Sequence, residues 1–140
     1  MKRALVPFDG SDNALRAVAY AAESVREKPS LELELLYVLE PMPLRSNAAM
    51  TQDEMHKIYA SEADRVLQPA RDALDRAGVP YQASYRLGGA ASEIAAHVKE
   101  KGCDAVIMGT RGMGPIPNVV IGSVATRVVN LVDVPVVLIK

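Results

Sequence analysis

The sequence predicts an α/β fold, with an open, twisted, five-stranded parallel sheet that is covered by helices on both faces. Two observations carry this prediction. Short apolar runs alternate along the 140 residues with longer segments whose apolar residues recur at helical spacing. The resulting order, β-α-β-α-β-α-β-α-β, is typical of parallel strands joined by helical crossovers. No linker, internal repeat or low-complexity segment interrupts the alternation, so we expect a single domain over residues 1–140.

The first strand and helix are indicated by an apolar run that leads into a turn. Ala4–Phe8 is typical of a strand buried on both faces, and Pro7, which lacks an N–H, should lie at its end. Ser11 is a candidate N-cap for the following helix, which Pro29 should end. The predicted apolar face of this helix consists of Leu15, Val18, Ala22 and Val25.

The second strand is predicted over Leu31–Leu39. Its Glu32 and Glu34 alternate with leucines, so its first half should have one solvent-exposed face. An irregular, proline-containing connection then precedes a long helix, whose start fits a capping box formed by Thr51 and Glu54. Its apolar face is predicted to contain Met55, Tyr59, Ala63, Val66, Ala70 and Leu74.

The second half of the chain continues the alternation. Pro69 should kink or divide the long helix, and Gly78 should end it. The remaining strands are predicted at Val79–Leu87, Ala105–Met108 and Val134–Ile139. The helices between them are marked by the apolar residues Ile94, Ala95 and Val98, and then by Val124, Val128 and Leu131.

The composition excludes several classes of protein. Lys plus Arg number 16 against 17 Asp plus Glu, and a formal net charge of -1 argues against a general nucleic-acid binder. Aromatic residues make up only 4%, so a stacking platform for single strands is not expected. No apolar run reaches the roughly 20 residues that span a bilayer, and none fits a targeting signal. We therefore expect a cytoplasmic protein without nucleic-acid or membrane partners.

The loops after the first and fourth strands are the candidate binding site. Open α/β sheets bind ligands beyond the carboxyl ends of their strands, where the strand order reverses. We expect the Rossmann-like order 3-2-1-4-5, in which the first and fourth strands are neighbours. The loop of residues 7–11 would then face the loop of residues 109–118 across the crevice.

The second of these loops is rich in glycine and leads into a helix. Gly109, Gly112 and Gly114 precede Gly122 and Ser123. Glycines allow backbone amides to approach a ligand, and a helix N-terminus offers unpaired N–H groups to an anion. Ser123 could cap the helix or donate to a phosphate oxygen. These features indicate phosphate binding, while tight α/β turns also use glycines structurally. Neither a P-loop nor a dinucleotide-binding fingerprint is present.

The spacing of these glycines matches a known pattern. Gly109-Thr110-Arg111-Gly112, nine further residues and Gly122-Ser123 fit G-x2-G-x9-G-(S/T). This motif resembles the adenine-nucleotide signature of the universal stress protein family. Segments 5–11, 36–38 and 134–137 are similar to the same family, so the resemblance covers nearly the whole chain. It implies a stress-response regulatory protein that binds ATP, or AMP or ADP, with or without Mg²⁺.

The resemblance implies individual residue roles. Pro7 and the backbone of Val38 would border the adenine, and Met108 and Gly109 would approach the ribose and phosphates. Asp9 would lie near the phosphates and supply a carboxylate oxygen for Mg²⁺. The phosphate tail would contact Gly112, Gly122, Ser123 and the Val124 amide. Alanine in place of Gly109 or Gly122 should crowd the phosphates and leave the fold intact.

Other polar and reactive side chains have structural interpretations. We expect Cys103 to be a small buried thiol. His56 and His97 should be helix-surface residues, since neither has a metal-ligating partner at i+3 or i+4. Ser11 is interpreted as a cap rather than a phosphate contact. Arg111 could reach a phosphate or remain solvated, and the sequence leaves both open.

The last strand, Val134–Ile139, should lie at a sheet edge, because no later element could cover it. An apolar edge invites pairing, and the resemblance implies a homodimer through this strand. Three functions remain open: a nucleotide-binding regulator that is read by an unidentified downstream protein, a slow ATPase or an enzyme that phosphorylates itself on Ser123 or Ser11, and a dimerisation module. We expect no efficient enzyme, because no base or water-orienting group is evident.

Overall fold

The computed structural model describes residues 1–41, 49–111 and 121–140 of the chain. Within these ranges five strands alternate with four helices. The strands are β1 (Arg3–Pro7), β2 (Glu32–Leu39), β3 (Gln82–Leu87), β4 (Ala105–Gly109) and β5 (Val136–Ile139). The helices are α1 (Asp12–Glu27), α2 (Gln52–Arg76), α3 (Ala90–Lys101) and α4 (Ser123–Leu131). Every predicted element is present, although β3 and β5 begin later than the sequence predicts.

All five strands are parallel, in the order β3-β2-β1-β4-β5. This confirms the predicted α/β fold and strand order. The order reverses at β1, which lies between β2 and β4. Loops that follow β1 and β4 therefore meet at the carboxyl-terminal edge of the sheet, where such folds form a crevice.

Side chains of the central strands alternate between two apolar clusters, one on each face of the sheet. On β1, Ala4 and Val6 belong to the cluster covered by α1 and α2, whereas Leu5 belongs to the cluster covered by α3 and α4. On β4, Ile107 and Met108 divide in the same way. Helices on both faces explain why these strands are uniformly apolar rather than alternating.

Both long helices begin at the predicted caps. The Ser11 hydroxyl accepts a hydrogen bond from the Ala14 amide at 3.1 Å, and the Thr51 hydroxyl accepts one from the Glu54 amide at the same distance. Pro69 lies inside α2 without dividing it. A proline in a helix interior removes a backbone bond, and the buried residues Leu67 and Ala70 beside it retain the helix by packing on the sheet.

The short helix α4 buries a different stripe from the predicted one. Ala125 and Val128 are buried, whereas Val124 is 39% and Leu131 is 49% exposed. The helix packs on α3, and two positions separated by three residues suffice for that contact. In the described ranges, no helix is long and apolar enough to cross a membrane.

A buried polar pair corrects two predictions. Glu34 was expected on a solvent-exposed face and His97 on a helix surface, but they are only 8% and 2% exposed. Helix α3 covers this face of β2 and brings His97 Nε2 within 3.2 Å of Glu34 Oε1. Burying a polar group lowers stability unless the group is hydrogen-bonded. The contact between these two side chains therefore offsets the cost of burying both. His56 is exposed, as predicted.

Cys103 precedes β4 and is 5% exposed, which confirms the predicted buried thiol. Burial raises its pKa to about 11, and the nearby Glu34 carboxylate acts in the same direction. The thiol is therefore protonated at neutral pH. Because the thiolate is the nucleophilic form, this side chain is unsuited to nucleophilic catalysis.

Candidate functional site

A pocket of about 240 Å³ opens at the carboxyl-terminal edge of the sheet, beside the point where the strand order reverses. Its walls come from the ends of β1, β2 and β4, from the start of α3 and from the start of α4. The predicted crevice is thus present between the loops that follow the first and fourth strands.

Nine of the ten predicted site residues line this pocket. They are Pro7, Asp9, Val38, Met108, Gly109, Arg111, Gly122, Ser123 and Val124. The tenth, Gly112, lies outside the described residues, as does Gly114. Leu36, Ala90 and Ile94 also line the pocket and were not predicted. Nothing in the sequence distinguishes these three from ordinary core residues, because their position depends on how α3 packs on β2.

Apolar residues from the strands and from α3 form much of the pocket lining. Leu36, Val38, Ile94 and Met108 are among them, and Pro7 lines the pocket at the end of β1. After Pro7 the chain remains attached to β2, because the Phe8 amide donates to the Leu36 carbonyl at 2.8 Å. The strands thus present a fixed, apolar surface suited to a flat, weakly polar group.

Asp9 lies in the turn between β1 and helix α1. Its Oδ1 accepts a hydrogen bond from the Ser11 amide at 3.0 Å, which holds the carboxylate at the rim of the pocket. Gly10 follows with a φ of +88°, a conformation that favours glycine, and lets the chain turn into the helix. The Asp9 carboxylate is exposed and can meet a ligand or a cation.

Gly109 has a structural role that the sequence did not reveal. A Cβ atom at this position would lie 2.5 Å from Asn13 Oδ1 and 3.0 Å from the Asn13 backbone. Gly109 therefore allows α1 to approach β4 closely. We therefore expect Gly109→Ala to destabilise the fold in addition to the site, because the added methyl group would collide with buried atoms of α1.

Helix α4 begins at the pocket without a side-chain cap. Gly122 is its N-cap, and Ser123 is its first helical residue. Ser123 cannot be the cap, since a capping residue has non-helical backbone angles. The Gly122 amide donates to the Thr110 carbonyl, so the helix start is fixed against the end of β4. The first amides of α4 and the positive end of its dipole are directed towards the pocket rim, an arrangement that suits an anion.

The pocket contains little side-chain charge. Asp9 and Arg111 are the charged residues among the described lining residues, and they have opposite signs. Arg111 is also the only charged residue in the sequence from Gly109 to Ser123. In the described part of the chain, no group of three or more His, Cys, Asp or Glu could hold a metal ion. An anionic ligand would thus depend mainly on backbone N–H groups.

The doubly wound parallel sheet and the pocket at its strand-order reversal define an α/β protein with a crevice at the carboxyl-terminal edge of its strands. The chain belongs to the universal stress protein family, whose model matches residues 1–140. Universal stress protein YxiE of Bacillus subtilis is 28% identical over 144 residues, with 97% of each chain covered. Universal stress protein Sll1654 of Synechocystis is 31% identical over 139 residues, which cover 99% of this chain and 85% of the relative.

Solved structures have the same fold. Universal stress protein UspA from Lactobacillus plantarum has a TM-score of 0.83 at 21% identity and covers 99% of this chain and 97% of its own. A universal stress protein in complex with cAMP has a TM-score of 0.72 at 25% identity, with the same coverage. An Arabidopsis thaliana family protein with AMP bound has a TM-score of 0.70 at 19% identity and covers 100% and 92%.

Proposed function

We propose that this member of the universal stress protein family binds an adenine nucleotide, preferentially ATP, and acts as a stress-response regulatory protein. The observation that carries the proposal is that nine of the ten residues implied by the motif line one pocket. They come from segments that are far apart in the sequence. Their meeting point, at the carboxyl-terminal edge of a parallel sheet, is where such folds bind nucleotides.

The apolar part of the pocket lining suits the adenine base. Pro7 and Val38 would border the ring, and the adjacent backbone of β2 would supply polar groups to its edge. Met108 would contact the ribose, at the end of β4. Stacking on apolar side chains with a few backbone hydrogen bonds is a common way to bind a planar ligand.

The part of the lining that lies at the start of α4 suits the phosphates. Gly122 and Ser123 would contact the phosphate oxygens, together with the Val124 amide at the start of α4. Gly109 and Gly112 belong to the same motif, and Arg111 would supply a guanidinium to the phosphate tail. The complete G-x2-G-x9-G-S motif favours ATP over a ligand without a phosphate tail.

Two of the structural neighbours support the choice of an adenine nucleotide. One is described in complex with cAMP and the other with AMP bound. Both share the fold of this chain over nearly its whole length. We propose Mg²⁺ as a companion ion, held jointly by Asp9 and by phosphate oxygens, because hard carboxylate and phosphate oxygens are its preferred ligands.

We propose a regulator rather than an efficient enzyme. Phosphoryl transfer requires a positioned nucleophile in addition to charge neutralisation. Asp9 is the only carboxylate among the described residues of the pocket, and it is assigned to the metal. For self-phosphorylation, the Ser11 hydroxyl is buried and caps α1, so Ser123 is the better-placed acceptor. A downstream protein would recognise the nucleotide-bound form.

The proposal predicts that freshly purified protein carries an adenine nucleotide. Heat denaturation should release it, and chromatography with mass spectrometry should identify ATP at close to one equivalent per chain. Recovery of ADP or AMP instead would support slow ATP hydrolysis or a protein that senses ADP or AMP. If the supernatant is empty and calorimetric titration with Mg-ATP also gives no heat, the proposal is wrong.

We also propose that the protein forms a homodimer through β5. This strand lies at the edge of the sheet and pairs with β4 on one side. The Pro135 and Ile139 carbonyls accept hydrogen bonds from β4, so the alternate residues Val136 and Leu138 direct their N–H and C=O groups outwards. An apolar edge strand with free backbone groups is a template for pairing with a second copy.

Val136→Pro should convert the dimer to a monomer. Proline removes an outward N–H without removing a bond to β4, so the sheet should survive. Val136→Ala is the matched control, since it shortens the same side chain and keeps the N–H. Size-exclusion chromatography with light scattering should give one chain mass for the proline variant and two for the alanine variant and the parent. Equal masses for all three would contradict pairing through this edge.

A further inference from the structure

Asn13, in the first turn of α1, is a buried polar residue that contacts the glycine-rich loop. It is 5% exposed. Its Oδ1 accepts a hydrogen bond from the Arg111 amide at 2.7 Å and a longer one from the Thr110 hydroxyl at 3.4 Å. Its Nδ2 is also buried and has no partner among the described residues. An unpaired buried donor lowers the stability of the fold. The hydrogen bonds that Oδ1 accepts are therefore the reason for an asparagine at this position.

The amide orientation of Asn13 is fixed by its neighbour. The Arg111 N–H is a donor, so only the side-chain oxygen can face it; the reverse orientation would oppose two donors. The close approach of Asn13 to β4 also depends on Gly109, since a Cβ there would lie 2.5 Å from Oδ1. Gly109 at the end of β4 and Arg111 two residues later thus both contact the Asn13 side chain.

This contact joins the two walls of the pocket. Asp9 lies three residues before Asp12, where α1 begins, and Arg111 follows β4 in the segment that leads to α4. Because the Arg111 amide is already bonded to Asn13, it is not available to a phosphate. Arg111 can offer only its exposed guanidinium to a ligand, and its backbone is held by its bond to α1.

We propose that Asn13 is a positioning residue that holds the backbone of Thr110 and Arg111, at the start of the glycine-rich loop, in place for phosphate binding. This inference rests on the proposed function and adds a residue outside the motif. Asn13 acts through the Arg111 backbone and does not itself contact the nucleotide. Its loss should therefore affect ligands with a phosphate tail and spare those that lack one.

The test compares Asn13→Ala with the parent in two measurements. Amide hydrogen exchange by NMR, without ligand, should show that Arg111 loses protection in the variant. Calorimetric titration should show that ATP affinity falls about three- to tenfold, as expected for the loss of one hydrogen bond, while adenosine affinity is unchanged. Thr51→Ala is the matched control, since it also removes a side-chain acceptor from a backbone N–H but lies at the cap of α2. It should change neither affinity.

Two outcomes would overturn this inference alone. One is that Asn13→Ala has the same ratio of ATP affinity to adenosine affinity as the parent. An equal fall in both affinities would give this result. The other is undiminished protection of the Arg111 amide. If the parent protein itself binds neither ATP nor adenosine, the proposed function fails first and this inference falls with it. Thermal unfolding of each variant confirms that the affinities refer to folded protein.

Discussion

Gly122→Ala is expected to weaken ATP binding at least tenfold, or by about 1.4 kcal/mol, while the fold persists. Gly122 lines the pocket and is the N-cap of α4, with φ of -73° and ψ of 168°. Alanine adopts these angles freely, and its backbone can still donate to the Thr110 carbonyl. The new methyl group would occupy the space through which the phosphate tail approaches the helix. Any loss of affinity would therefore be due to that methyl group.

Two other glycines provide controls for this variant. Gly102→Ala adds a methyl group far from the pocket, at a φ of +64° with no other atom within 4 Å of the new Cβ. It should lower stability by about 1 kcal/mol through backbone strain and leave ATP affinity unchanged. Gly109→Ala should lower the free energy of unfolding by about 1–3 kcal/mol, a typical cost of overpacking.

The measurements are calorimetric titration with Mg-ATP and chemical denaturation of each variant. Gly122→Ala should lose affinity with little change in unfolding free energy, because exchanging glycine for alanine at an N-cap costs at most about 1 kcal/mol. Parental affinity in Gly122→Ala would remove this residue from the site. A loss of stability as large as that of Gly109→Ala would mean that Gly122, too, is mainly structural.

The parts of this protein that could be predicted from the sequence are those that depend on local pattern. Apolar runs marked β1, β4 and β5, alternation marked the first half of β2, and caps such as Ser11 and Thr51 marked the long helices, because these signals involve residues a few positions apart. The pocket followed from the strand order, which brings the loops after β1 and β4 to one edge. Motif residues at the ends of parallel strands meet there whatever the details of the loops.

The parts that could not be predicted depend on contacts between distant residues. Glu34 and His97 are 63 positions apart, and their burial results from the packing of α3 on β2. Alternation along β2 predicted a solvent-exposed face because it cannot show what covers a strand. The close contact between Asn13 in α1 and Gly109 in β4 likewise joins residues that are far apart in the sequence. The sequence indicated the glycine as a ligand contact and gave no sign of its helix neighbour.

Asp9→Asn is expected to reduce the contribution of Mg²⁺ to ATP binding while preserving the turn around residue 9. The asparagine oxygen can still accept the hydrogen bond that the Ser11 amide donates to Oδ1 at 3.0 Å. The substitution keeps the shape of the side chain and removes the negative charge, which attracts a divalent cation and repels the phosphates when no metal is bound. The ratio of ATP affinity with Mg²⁺ to that with a chelator should fall about tenfold, the equivalent of roughly 1.4 kcal/mol.

Loss of the negative charge should also change ATP binding in the absence of Mg²⁺. In chelator, Asp9→Asn should bind ATP at least as tightly as the parent, because the only carboxylate among the described lining residues is gone. Asp12→Asn is the matched control, since it removes an exposed carboxylate from the first turn of the same helix, outside the pocket lining. Titrations of all three proteins with and without Mg²⁺ decide the matter. If the Mg²⁺ dependence is equal in all three, Asp9 does not bind the metal, and the ion must be held by the phosphates alone.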